Sequence, residues 1–177
     1  MAVIIGLVVL GGAACGGGAP SATARPAPAS YAEYAVAACA AWDALFRAVG
    51  NPDTGSGSDL SRALDEAVAA GDVASADRLA NDITRELEVG REHVAVARGW
   101  PPRTPVMVHF DRVFTAFEAM TAAKRAAAGR EPNAVDPQTA FEEAGGIEAW
   151  FAMLEALRAA ATTGATAESC PNVPVTP

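Results

Sequence analysis

The chain has 177 residues, 51% of them hydrophobic and 19% charged, and a net charge of −8. That length suits one domain, and that hydrophobic share supports a packed core and argues against a disordered chain. An acidic balance of this size repels nucleic-acid phosphates and gives no pull toward anionic lipid headgroups. Nucleic acid is therefore set aside as a partner, and any membrane attachment has to be covalent or hydrophobic. Aromatic residues are only 6%, so the core is expected to consist mainly of small aliphatic side chains, with abundant alanine favouring helix.

The run from Ala2 to Ala14 is uncharged and apolar or small. As a helix it covers roughly 20 Å, short of the roughly 30 Å hydrocarbon core of a bilayer. It therefore reads as the apolar part of a signal peptide over residues 1–14 rather than as a span. The run ends in Gly12-Ala13-Ala14-Cys15. This motif resembles the lipobox of bacterial lipoproteins, in which small residues precede a cysteine that becomes the modified N-terminus. The resemblance covers about the first fifteen residues. It implies that Cys15 is thioether-linked to a diacylglycerol, that residues 1–14 are removed, and that the protein is exported and membrane-anchored on the extracytoplasmic side. The sequence departs from the family pattern in two places. Gly12 stands where the family usually has Leu or a similar aliphatic residue. The usual Lys or Arg ahead of the apolar run is missing, as a start codon placed too far downstream would explain.

Residues 15–30 continue as Gly16-Gly17-Gly18-Ala19-Pro20-Ser21 and a Pro/Ala-rich stretch to Ser30. They have no periodicity and read as a tether. Fully stretched, such a segment reaches roughly 50 Å, enough to hold a small domain clear of a membrane. The domain proper is assigned to residues 31–177.

Of the three cysteines, lipid on Cys15 leaves Cys39 and Cys170. Export would place both in an oxidising compartment, where a disulfide persists. A Cys39–Cys170 bridge would pin the C-terminal tail to the first helix; the chain-entropy model gives a loop of this length roughly 5 kcal/mol. The alternative is two unpaired thiols, one buried and one in the tail. There is no Cys-x-x-Cys pair, so the spacing indicates neither a redox motif nor a zinc knuckle.

From Tyr31 to Val49 the apolar residues Tyr34, Ala35, Ala38, Trp42, Leu45 and Phe46 recur in steps that mark an amphipathic helix. Asp43 and Arg47 are spaced to pair on its wet side. Gly50 to Ser58 stops it. A short helix follows from about Asp59 to Ala70, with Leu60, Leu64 and Val68 on one face, then Gly71 at its end and Asp72 as the next cap. The third helix runs to about Arg98 with Val73, Ala76, Leu79, Ile83, Leu87, Gly90, Val94 and Ala97 inward. Thr104-Pro105 starts a fourth, to about Ala128, whose face of Phe110, Val113, Phe114, Phe117 and Met120 is the most aromatic in the chain. Asp136-Pro137 repeats the start signal. Phe141, Ile147, Trp150, Phe151, Leu154 and Leu157 continue an apolar face to about Ala161, broken or kinked at Gly145-Gly146. No strand pattern or repeat is found. The expected fold is all-α: an up-and-down antiparallel bundle of four main helices plus a short extra helix.

Chemistry is sparse in this pattern. His93 and His109 flank the short connection between two helices, and facing imidazoles there would bind a transition metal or haem. The plainer reading places both at the edge of the apolar stripe. The acidic residues around Asp82 and Glu86 read as a solvated face paired with Arg78, Arg85 and Arg91. There is no Gly-x-Ser-x-Gly, no P-loop and no calcium loop, so neither an enzyme nor a cofactor is indicated. Trp100, in Gly99-Trp100-Pro101-Pro102, reads as a lid on the core or as an aromatic anchor for a partner. Two functions remain. One is a tethered interaction or scaffold module with an envelope protein as partner. The other is a carrier of a small ligand, metal or haem in a pocket between helices near Phe110, Phe114 and Phe117.

Overall fold

Apolar side chains at three- and four-residue spacing become six helices in the structure, a computed structural model that describes residues 31–51, 56–99, 104–131 and 134–161. They are α1 Tyr31–Val49, α2 Asp59–Ala70, α3 Val73–Arg98, α4 Thr104–Ala128, α5 Pro137–Glu143 and α6 Gly146–Ala161. The bundle is all-helical, as the periodicity predicts. No helix among the described residues is long and apolar enough to cross a membrane.

The boundaries follow from local chemistry. Ser58 accepts a hydrogen bond from the Ser61 N–H and starts α2. Gly71 ends it in a left-handed conformation at φ 68°, where a side chain would be strained. The N–H groups of Gly71 and Asp72 close back on the carbonyls of Val68 and Ala67. The Asp72 carboxylate then accepts from the Ser75 N–H and starts α3. Asp136 caps α5 through the N–H groups of Gln138 and Thr139, with Pro137 in the first turn.

Cross-helix pairs fix the directions. Residues near Ala44 and Arg47 meet Gly90 and Glu86, so α1 runs antiparallel to α3. Gly90 meets Phe114, Arg98 meets Asp111 and Asp77 meets Arg125, so α3 and α4 are antiparallel. Helix α6 starts against Phe141, whose ring lies on Phe117. One turn later Trp150 stacks on Trp42, which is edge-on to Phe110. Helix α6 therefore runs back along α4. The result is an up-down-up-down arrangement of α1, α3, α4 and α6, with α2 and α5 as short connectors at one end. The opposite end gathers the start of α1, the end of α3, the start of α4 and the end of α6.

The core is the aromatic and aliphatic interior of these four helices: Trp42, Leu45, Ile83, Leu87, Val94, Phe110, Phe114 and Met153 are all buried. Three sequence expectations need correction. Val73, assigned inward, is exposed, because it opens the first turn of α3, beyond the reach of the neighbouring helices. Arg47, spaced to pair with Asp43, instead places its Nε 2.9 Å from Glu86 Oε2 on α3. Ile147 and Phe151, assigned to the inner face of one continuous helix, point outward. The physical cause is Gly145, at φ 74°. It ends α5 and restarts the helix in an orientation that buries Trp150 and Leu154, as expected, together with Ala149 and Met153.

Candidate functional site

Cys15, Trp100 and Cys170 lie outside the described residues. Cys39 is half-buried on α1, about 60° around the helix from Trp42. Trp42 itself stacks on Trp150 of α6. The Cys39 sulfur is engaged and is not a free thiol.

The two histidines are both half-buried. The α3–α4 contact carries a polar seam. Arg91 Nη1 lies 2.6 Å from Glu118 Oε1, and its Nη2 donates to Thr115 Oγ1 at 2.9 Å. Arg98 Nη2 lies 3.1 Å from Asp111 Oδ2. His93 is two residues from Arg91, and His109 is two residues before Asp111. Each is therefore turned about 200° around its helix from a seam residue, and neither imidazole faces the seam. His109 Nδ1 is buried without a hydrogen-bond partner among the described residues. No group of three or more His, Cys, Asp or Glu side chains placed to hold a metal ion occurs among the described residues.

In the region proposed for a ligand pocket the three phenyl rings are buried in contacts with other side chains and backbone. Phe110 and Phe114 are fully buried, the first against Trp42 and the second against Gly90. Phe117 is covered by Phe141 at a ring separation of 4.9 Å.

The outer face of α5 and α6 combines exposed apolar side chains with carboxylates. Phe151 is 65% exposed and Ile147 is 39% exposed. They are one turn apart and lie on a single stripe of α6. Glu148 and Glu155 border that stripe, and Glu142 and Glu143 are exposed at the end of α5. Several carboxylates on α2, α3 and α4 are matched across helices: Asp65 holds Lys124, Asp77 holds Arg125 and Glu118 holds Arg91. The carboxylates were visible in the sequence. Their meaning was not, because the apolar residues between them read as core until Gly145 turned α6.

No family model matches this chain, and no curated protein or solved structure matches it.

Proposed function

We propose that this chain is an exported lipoprotein, acylated on Cys15 and held by the residue 16–30 tether, whose helical bundle is an interaction module of the cell envelope. The observation that carries the anchor is the uncharged run from Ala2 that ends in Gly12-Ala13-Ala14-Cys15 and passes directly into a Gly/Pro segment. For the bundle, the close contacts of Phe110, Phe114 and Phe117 support a module that works through its surface over a carrier with an internal pocket.

The Cys39–Cys170 disulfide belongs to the same reading. An engaged Cys39 sulfur supports it. So does the topology, since α6 ends at the same end of the bundle as the Cys39 half of α1. The nine residues from the end of α6 to Cys170 span up to roughly 30 Å, ample for that return.

The test is partition of the full chain, expressed in a bacterial host, between water and detergent. The wild-type chain enters the detergent phase, and Cys15→Ala stays in water. A Cys15→Ala chain that still enters the detergent phase would overturn the anchor.

A further inference from the structure

We propose that the Ile147–Phe151 stripe of α6, with its surrounding carboxylates, is a docking face for a basic amphipathic helix of another protein. The proposal rests on the reading of the bundle as an interaction module and names the partner of that module.

The apolar part of the face is real surface. Three of the five large hydrophobic residues exposed among the described residues, Val135, Ile147 and Phe151, fall between Glu131 and Glu155. An exposed phenyl ring with an aliphatic neighbour one turn away matches the anchor spacing of a helix laid along a helix.

Charge selects the occupant. Between Arg130 and Arg158 there are six carboxylates, Glu131, Asp136, Glu142, Glu143, Glu148 and Glu155, and no basic residue. The chain has 21 acidic and 13 basic residues, so 15 acids remain outside this stretch against all 13 bases. Six of the net eight negative charges are therefore concentrated on one segment, while the remainder is nearly balanced. A second copy would set carboxylate against carboxylate, which is repulsive. The chain's own residues beyond Ala161 contain Glu168 and no base, so they do not complement the face. An anionic bilayer is repelled for the same reason. A helix with apolar residues flanked by Lys and Arg satisfies both halves of the surface. The face also lies at the α5 end of the bundle, opposite the end where the chain enters α1, so a tethered module would present it away from the membrane.

The probe is a synthetic amphipathic peptide with a leucine stripe flanked by lysines, together with a twin in which glutamate replaces lysine. It is titrated into the full chain in neutral phosphatidylcholine nanodiscs, with empty discs as blank. The readout is the isoleucine methyl resonances: Ile147 reports the face, and buried Ile83 is the internal control. The lysine peptide is expected to move the Ile147 methyl and leave Ile83 in place, and the glutamate twin to move neither. Phe151→Ala, an exposed substitution that leaves the fold intact, weakens binding about tenfold. The combined E142Q, E143Q, E148Q and E155Q variant weakens binding and flattens its salt dependence. No Ile147 shift with the lysine peptide at physiological salt overturns the proposal, as does binding indifferent to Phe151→Ala. An Ile147 shift that follows protein concentration without peptide assigns the face to a second copy and also overturns it. Detergent partition of Cys15→Ala reads the anchor separately, so loss of one claim is distinguishable from loss of the other.

Discussion

Gly90 shows how one missing Cβ sets the spacing of three helices. A Cβ built there would collide with the Phe114 ring of α4 and lie 3.3 Å from Ala44 Cβ on α1. Alanine at this position recovers roughly 1 kcal/mol of helix propensity. It also forces the Phe114 ring out of a fully buried site, and overpacking of that kind costs about 1–3 kcal/mol. Gly90→Ala is therefore expected to lower the denaturant midpoint; an unchanged or raised midpoint would mean that α3 and α4 are less closely packed than described. A second residue-scale expectation concerns pH. The Ser75 hydroxyl first, and its backbone N–H second, hold the Asp72 carboxyl below the usual carboxylate range. A depressed folded-state pKa adds stability above the unfolded-state value, and that contribution is lost as pH falls through the folded-state value. Asp72→Asn keeps an acceptor but removes the charge. The stability difference between wild type and variant should therefore shrink when urea melts at about pH 6 are repeated at about pH 3, on either side of the ordinary carboxylate value. A difference independent of pH would show that the charge contributes nothing to the cap.

At the scale of elements, the boundaries of α1 and α2 were readable because each has a strong stop. Gly50 closes the first and Gly71, in its left-handed conformation, closes the second. Helices α3 and α4 were readable from their stripes, Ile83, Leu87, Gly90 and Val94 on one and Phe110, Phe114 and Phe117 on the other. The last helical stretch was only partly readable. Gly145-Gly146 marked a discontinuity, but periodicity carries no information on how far a chain rotates at such a break, so Ile147 and Phe151 were placed on the wrong side. Partners across helices were equally hidden. Arg47 reaches Glu86 and Arg91 reaches Glu118 because tertiary packing brings α1 and α4 to α3, and local spacing cannot report that. An aromatic stack ties three of the helices together. Trp42 lies 6.0 Å from Trp150 and 5.8 Å from Phe110, and it joins α1 to both α6 and α4. Trp42→Ala leaves a cavity among three helices and is expected to cost about 3–5 kcal/mol, read as a large fall in the denaturant midpoint. A loss below about 1 kcal/mol would contradict a central position for Trp42.

For the whole molecule, topology and charge combine into one polarity. The up-down-up-down order puts the start of α1 and the end of α6 together, beside the Cys39 half of α1. It puts α5 and the acidic, partly apolar face at the other end. A lipid at the N-terminus of the mature chain would then fix one end toward the membrane and leave the other free to meet a partner. The anchor is the claim on which this orientation depends. The most direct measurement is the intact mass of the full chain, purified from bacterial membranes without reductant. The expected mass is that of a chain that begins at Cys15, carries the added mass of a diacylglycerol, and lacks two hydrogens for the Cys39–Cys170 bridge. A mass that retains residues 1–14, or an unmodified Cys15, would contradict it.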